Sequence, residues 1–477
     1  MGGPSRKRGR LEFVDEVNAE RGPSRKRGRL EAVDEVYAEP AQEAMLPELD
    51  LFSPQALQNQ VVRTFDKEFT PVSAITHLGP IEFYIPGLPM HYLNLSQHQF
   101  VLLLQILRAD NTNPPPDAEV ATINNPMHSI FSTVDVELKD NQVSDNNGLY
   151  TYRAYLEKLL SYRHDVLESQ MQAEGFFKDT AGSMRVFRTT TGEATNKGLN
   201  AREALFREGR IVELAGRLHG DIFHQPHALI SNVPMKIKLV PNRDNFIIVS
   251  RAPADGVPQE AYKMVIKEAR LIIPAYEVSP SLSIAHEQIL QTTNARYPIR
   301  RVTMKHLSIP TAQTQHAHDN IIAGPLPERI VIGLVSDVAM SGGYQQNPLN
   351  FEHFGCTQMA LYVNGEMFPT RPYQPDFANG RYIRDYLSIF KGNGILYSDK
   401  SVGINRHEYA NGYTIWVFDL SPDQVNMRSI APHRTGNIRL EVKFAAPTTQ
   451  TINIIVYAEY DSLIEIDKYR NVIAAYN

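Results

Sequence analysis

The sequence predicts a mainly β protein built from two consecutive antiparallel sandwiches or jelly rolls. Short runs rich in β-branched and aromatic residues recur along the chain between turn residues, as in Ile81–Ile85, which ends at Pro86-Gly87. Apolar and charged residues alternate in runs such as 235–239 and 438–444, and a period of two places them on opposite faces of a strand. The β-rich body of roughly 400 residues exceeds one sandwich and fits two.

Eleven runs carry the strand signal, and they are Ile81–Ile85, Gln99–Leu107, Thr133–Leu138, Met235–Val240, Asn245–Val249, Met264–Ile273, Arg329–Val335, Met359–Val363, Tyr413–Leu420, Asn437–Phe444 and Thr451–Tyr457. The dipeptide Asn364-Gly365 predicts a hairpin, because both residue types accept the left-handed backbone of a tight turn. Helical periodicity is confined to four segments, which are Tyr152–Met171, Asn200–Glu208, Pro280–Asn294 with Ser279 as its N-cap, and Arg381–Phe390. Since these helices do not alternate with strands, a doubly wound parallel sheet is not expected.

Turn chemistry gives the expected domain organisation. We expect a disordered basic tail over residues 1–66, a first sandwich over 67–258 with a helical insertion near 152–210, and a second sandwich over 259–477. The boundary follows Ala252-Pro-Ala-Asp-Gly-Val-Pro258, a segment rich in proline and glycine. The two halves share no sequence similarity, so this division depends on length and turn residues alone.

Composition restricts the functional classes. Apolar residues make up 42% of the chain and charged residues 21%, which suits a folded body. The net charge is −5, so any affinity for nucleic acid must be local. The single cysteine, Cys356, excludes a disulfide framework within the chain and a multi-thiolate metal cluster, and we expect it to be a buried core residue. No apolar run reaches the ~18 residues that a membrane span requires.

The first forty residues contain a tandem repeat. The segment that starts at Gly3 recurs from Gly22, and each copy places a cationic block before an acidic one. The cations are Arg6, Lys7, Arg8, Arg10, Arg25, Lys26, Arg27 and Arg29. Such clusters attract phosphate and match a nuclear-import signal. Because the adjoining acids compete with phosphate, we prefer an import receptor over packaged DNA as the partner; a solvated arm without a partner is the third alternative.

Two groups of histidines raise the alternative of a cupin-like metalloprotein. His219, His224 and His227 are close in sequence, and His316-Ala-His318 places two imidazoles on one strand face. A mononuclear site would also need a carboxylate a few residues further on, but the next glutamate, Glu328, follows a proline-rich turn. We therefore expect exposed loop histidines and neither metal nor cofactor. Since the chain has no Gly-x-Ser-x-Gly motif and no phosphate-binding glycine loop, we expect no enzyme.

Ten segments, in this order, resemble the major capsid proteins of Polinton (Maverick) elements and adintovirus-like viruses. They are Ile81–Gly87, Met127–Val136, Tyr150–Glu157, Gly216–His219, Ala295–Val302, Asn347–Phe351, Gln374–Phe377, Asn411–Thr414, Phe418–Leu420 and Val456–Glu459. Each segment is weak alone, but the ordered set spans about residues 75–470. The repeated basic tail is not part of this pattern.

This resemblance implies a double jelly roll, with two eight-stranded sandwiches side by side in one chain. It also implies a non-enzymatic homotrimer that forms a pseudo-hexagonal capsomer of an icosahedral shell, with a penton or minor capsid protein as a further partner. The protein would then reside in the virion capsid, and in the host cytoplasm and nucleus before assembly. The loops between strands would form outer towers or subunit contacts. A domesticated binding protein with the same β fold, which does not assemble, is the alternative.

Overall fold

The computed structural model describes residues 57–145, 147–187, 195–422 and 433–474. The predicted tail cations at positions 6–29 lie outside these residues. All elements below belong to the unit Gln58–Asn477.

The described residues form twenty strands, which are β1 (Val61–Phe69), β2 (Ile81–Ile85), β3 (His91–Leu93), β4 (Gln99–Arg108), β5 (Val120–Thr122), β6 (Phe131–Leu138), β7 (Asn141–Gln142), β8 (Val212–Gly216), β9 (Met235–Pro241), β10 (Ile248–Ser250), β11 (Tyr262–Val278), β12 (Ala295–Ile309), β13 (Gln315–Pro325), β14 (Arg329–Ser336), β15 (Cys356–Val363), β16 (Glu366–Tyr373), β17 (Ile415–Asp419), β18 (Thr435–Phe444), β19 (Ile452–Ile466) and β20 (Val472–Ala474).

The same residues form nine α-helices, which are α1 (Pro126–Ser129), α2 (Tyr150–Ser161), α3 (His164–Leu167), α4 (Lys197–Phe206), α5 (Asp244–Ile247), α6 (Pro280–Leu290), α7 (Asp337–Ser341), α8 (Ile383–Gly392) and α9 (Arg406–Tyr409). Short 3-10 turns lie at Leu95–Gln97, Gln170–Glu174, Arg207–Gly209 and Asp221–His224. The predicted mainly β fold with a few inserted helices is confirmed.

Two sandwiches with the same strand order make up the body. In the first sandwich, one sheet has the order β1-β11-β4-β8, with β3 beside β11, and the other has the order β2-β9-β6-β7. In the second sandwich the orders are β12-β19-β14-β17, with β20 beside β19, and β13-β18-β15-β16. All of these strand pairs are antiparallel.

The shared order becomes clear when the main strands of each sandwich are counted in chain order, with the short β3, β5, β10 and β20 left out. Both sandwiches then read first-eighth-third-sixth in one sheet and second-seventh-fourth-fifth in the other. This arrangement of eight strands is the jelly roll, and the chain contains it twice.

The strand pairing bears on the expected boundary after residue 258. Strand β11 follows that position, yet it pairs with β1 and β4 and is the last main strand of the first sandwich. The loop over residues 251–261 therefore joins two strands of one jelly roll. We propose a division between Val278 and Ala295, where α6 connects the last strand of one sandwich to the first strand of the next.

Local sequence signals explain several elements. The Asn364-Gly365 turn joins β15 to β16, and both residues have positive φ, 51° and 87°. The Ser279 side chain accepts a hydrogen bond from the Leu282 backbone N–H and caps α6 as predicted.

The predicted strand Asn245–Val249 was wrong at its start, because α5 occupies residues 244–247. A short apolar run alone does not distinguish a helix from a buried strand.

The sheet that contains β14, β17 and β19 is buried on both faces. Val331 on β14 and Ile455 on β19 pack into the core that includes the first sandwich, while Ile330 and Ile454, each one residue earlier, pack inside the second sandwich. Alternate residues of a strand point to opposite faces, so these strands must be apolar at nearly every position. The shared core joins the two sandwiches.

Each sandwich carries helices in the connection between its fifth and sixth main strands. We call residues 143–211 the first insertion, which contains α2, α3 and α4, and residues 374–414 the second insertion, which contains α8 and α9. The two insertions contact each other directly. Gly403 N–H donates to the Leu159 carbonyl at 3.0 Å, and the Tyr413 hydroxyl donates to the Asp179 carbonyl at 2.7 Å.

Candidate functional site at the junction of the sandwiches

Helix α2 carries charged residues into the interior. Ten of its twelve residues are buried, including Arg153 and Lys158. A buried charge without a partner is strongly destabilising, so each of these cations requires an anion nearby. The predicted single helix over residues 152–171 is wrong beyond Ser161, because Tyr162 is extended and the chain turns into α3 and the 3-10 segment Gln170–Glu174.

That turn brings Glu174 back to Lys158. The Lys158 ammonium donates to Glu174 and, at 2.6 Å, to Asn125 Oδ1. His128 Nε2 lies 3.1 Å from the same carboxylate, while its Nδ1 lies 2.9 Å from the Tyr150 hydroxyl. Burial acts to raise the pKa of Glu174, but Lys158 and His128 outweigh it and hold that pKa below its ordinary value. The Glu174 carboxylate is therefore ionised. Burial lowers the pKa of Lys158, and the neighbouring carboxylate partly offsets that shift.

A second group lies one helical turn earlier on α2. The Arg153 guanidinium donates from its Nη2 to Asp221 Oδ1 at 2.5 Å and from its Nε to Glu157 Oε1 at 2.9 Å. The other oxygen of that carboxylate, Oε2, lies 2.5 Å from His219 Nδ1 and 3.6 Å from His224 Nε2. Burial lowers the pKa of His219 to about 4, so this imidazole is neutral at physiological pH.

The network reaches the second sandwich. Val302 N–H on β12 donates to Asp221 Oδ1 at 3.3 Å. Beside it opens a cavity of about 810 Å³, which α2 and residues 217–226 line from the first sandwich and β12, β14 and β19 line from the second. On the far wall Glu459 forms ion pairs with Arg329 and, at 3.5 Å, with Arg300. The cavity thus lies between the two sandwiches and carries charges of both signs.

The structure places the histidines of the two predicted groups in different surroundings. The structure brings His219 and His224 together, with ring centroids 5.6 Å apart, and places His227 elsewhere, where its Nδ1 lies 3.2 Å from the Arg296 carbonyl. The expectation of exposed loop histidines is wrong for His219, whose residue exposure is 5%. His316 and His318 are adjacent on β13, with ring centroids 4.5 Å apart.

The structure confirms one expected residue, Cys356, and adds one that was not expected, Glu157. Cys356 is buried in the second sandwich as expected, and burial raises the pKa of its thiol. Sequence reasoning missed Glu157, because this partner of His219 lies 62 residues earlier in the chain. The available signal was the spacing of Arg153 and Glu157, an i,i+4 pair of opposite charges on a helix whose other residues are mostly apolar or aromatic.

Comparison with known proteins places this architecture. No family model matches the chain. A chain of the Sputnik virophage structure is 14% identical, with 91% of this chain and 92% of that chain covered and a TM-score of 0.59. The mavirus major capsid protein is 11% identical (95% and 96% covered, TM-score 0.53), and the Faustovirus major capsid protein is 10% identical (87% and 92% covered, TM-score 0.52).

The chain has the double jelly-roll fold of viral major capsid proteins. The matched shares, 91% and 95% of this chain, are too large for one sandwich alone, so both sandwiches contribute to the likeness. In sequence, the chain is 26% identical to an uncharacterized protein of Caenorhabditis elegans over 409 residues, which is 83% of this chain and 93% of that protein. In the described residues, no helix is long and apolar enough to cross a membrane.

Proposed function

We propose that the protein is the major structural subunit of a viral or transposon-borne capsid. The observation that carries the proposal is the jelly roll repeated in one chain, matched to known major capsid proteins over about nine tenths of both chains. In this proposal the protein acts by assembly, and its work requires no reaction centre. It would reside in the virion shell.

Two similar sandwiches per chain explain how such a shell is tiled. Three copies related by a closed three-fold axis present six similar wedges, which gives a pseudo-hexagonal outline that fills a curved surface. The trimer interface would bury more than ~1,200 Å², the size of a stable association. The shared core and the paired insertions hold the two sandwiches of one copy together, so the wedges would act as one rigid unit.

We assign the protein to the Polinton and adintovirus-like capsid lineage. The support is the ordered set of motifs over about residues 75–470, together with a sequence relative in an animal, the nematode Caenorhabditis elegans. A penton or minor capsid protein would close the five-fold vertices of the shell, where a pseudo-hexagonal unit does not fit.

Light scattering of the purified full chain during size-exclusion chromatography tests the proposal. We expect a trimer mass or larger assemblies that grow with protein concentration. A monomer at every concentration would contradict it and would favour the second candidate, a domesticated non-enzymatic binding protein with the same fold. The animal relative is the observation that keeps this second candidate open.

For the tail we propose a nuclear-import function, with contact to packaged DNA as its alternative. Import through the two cationic blocks would bring subunits from the cytoplasm to the nucleus before assembly. A fluorescent fusion without residues 1–39 should lose nuclear accumulation while its body folds normally. An unchanged distribution, together with salt-sensitive binding of the tail peptide to DNA, would instead support the packaging function.

A further inference from the structure

We propose that Glu157, His219 and His224 bind one divalent transition-metal ion, best matched by Zn²⁺, at the junction of the two sandwiches. Their donor atoms all lie within 4.8 Å of one another and converge on Glu157 Oε2. Two imidazoles and one carboxylate are a common ligand set for zinc. The site is independent of the proposed shell function.

The surroundings of Glu157 favour binding through one oxygen. Arg153 holds Oε1 at 2.9 Å and is itself fixed by Asp221. Oε2 is therefore the oxygen that faces both histidines. A partner that fixes a ligand from behind is a regular feature of metal sites, because it orients the donor atom before the metal arrives.

The exposure of the three ligands fits a site that a metal ion can enter. Their side chains range from 5% exposed in His219 to 12% in Glu157 and 32% in His224, and all three line the cavity of about 810 Å³. The cavity supplies an entry path and room for a water molecule as the fourth ligand. A zinc ion with three protein ligands and one water is four-coordinate, as zinc prefers.

Zinc binding would replace a hydrogen bond between two of the ligands. Zinc requires neutral imidazoles and an ionised carboxylate. His219 Nδ1 lies 2.5 Å from Glu157 Oε2, and the metal ion would take the place of the proton between these two atoms. Coordination through Nδ1 would move the His219 proton from Nδ1 to Nε2, so no net proton is released at this residue.

The neighbouring group of His128, Glu174 and His219 has suitable ligand types but is not a metal site. The Lys158 ammonium already contacts the Glu174 carboxylate and supplies the compensating positive charge. At Glu157 the compensating cation, Arg153, lies against the other oxygen. This contrast between the two carboxylates is why we assign the metal to the group of Glu157, His219 and His224.

Zinc titration of the full-length protein, after treatment with a chelator, tests the proposal. By isothermal titration calorimetry we expect one Zn²⁺ per chain, and with Co²⁺ in its place we expect the visible absorption bands of a tetrahedral site. In His224→Gln the affinity should fall at least about tenfold, while His227→Gln, three residues away and outside the site, should bind as the wild type does. His224 is the most exposed ligand, so its replacement should leave the fold intact.

Two results would overturn the proposal. One is a wild-type protein that takes up no stoichiometric zinc and gives no tetrahedral cobalt spectrum. The other is a His224→Gln variant, folded by circular dichroism, that binds zinc as tightly as wild type. Neither result would change the light-scattering outcome for capsid assembly, so the two proposals fail separately.

Discussion

The two sandwiches share a strand order but stabilise their insertions differently. The first insertion buries charges, among them Arg153, Lys158 and Glu174. The second insertion uses aromatic stacking. The ring centroids of Phe377 and Tyr382 lie 5.2 Å apart, and those of Tyr382 and Tyr409 lie 5.9 Å apart. One framework thus tolerates two kinds of interior, because the jelly roll needs only alternating apolar faces from its strands and leaves the connections free to vary.

The largest expected loss of stability comes from removing one partner of Lys158–Glu174, the buried ion pair of the first insertion. Lys158→Met leaves the Glu174 carboxylate buried without its cation, which should lower the free energy of unfolding by ~3–5 kcal/mol. Urea denaturation followed by circular dichroism measures the change. Lys236→Met, which removes an exposed pair with Glu137, is the matched control and should cost less than ~1 kcal/mol.

Adding Glu174→Gln to Lys158→Met sharpens this test. The double variant should recover part of the lost stability, because it removes the uncompensated charge. If Lys158→Met alone were no more damaging than the surface control, the claim that the first insertion depends on buried ion pairs would be wrong.

The sheet that contains β14, β17 and β19 is buried on both faces, so we expect substitutions on its two faces to lower stability by nearly equal amounts. Ile454→Ala opens a cavity inside the second sandwich, and Ile455→Ala opens one on the opposite face, in the core shared with the first sandwich. Each should cost ~2–5 kcal/mol. Ile473→Ala, whose side chain is exposed, should change stability by less than ~0.5 kcal/mol. A negligible loss for Ile455→Ala would mean that the second sandwich does not need the shared core.

The second insertion contains one buried carboxyl with a distinctive pH dependence. Burial raises the pKa of Asp385 to about 6, and its Oδ1 accepts a hydrogen bond from Trp416 Nε1 at 2.9 Å. Because the folded pKa is above the unfolded one, the stability that this group contributes is complete below about pH 4 and is lost as pH rises through 6.

Asp385→Asn keeps the acceptor for Trp416 and removes the charge. We expect this variant to be more stable than wild type by on the order of 2 kcal/mol at pH 7, with the difference shrinking as the pH falls to 4. Thermal melts across this pH range measure it. A gap between the two proteins that stays constant with pH would show that Asp385 does not titrate as described.

The smallest effect concerns the contact between the insertions. Tyr413→Phe removes the hydroxyl that donates to the Asp179 carbonyl, so we expect a loss of ~1 kcal/mol, the net value of a buried hydrogen bond. Denaturant midpoints are precise enough to detect it. Tyr397→Phe, at an exposed position, is the control and should show no change.

Much of the fold could be predicted from the sequence, for reasons that particular strands make clear. Strands β2, β9 and β18 alternate apolar and polar residues, because only one face of each strand is buried in the core. Strand β12 was missed, because its many exposed cations and polar residues hide the alternation. The repeated strand order was also invisible, since topology depends on pairing between distant segments and not on similar residues.

The candidate site was only half predictable. His219 and His224 were singled out by their spacing, but Glu157 belongs to an insertion that folds back across 62 residues. Arg153 and Asp221 likewise become partners only once α2 packs beside the 3-10 turn Asp221–His224. Local pattern does not report such contacts, and the burial that shifts the histidine pKa values arises only in the folded chain.

Negative-stain electron microscopy of the purified full-length protein tests the central claim most directly. The account predicts class averages with three-fold symmetry and a six-sided outline, in which each copy supplies two adjacent lobes of similar size. Images of single two-lobed particles alone, at concentrations where capsid subunits associate, would contradict it.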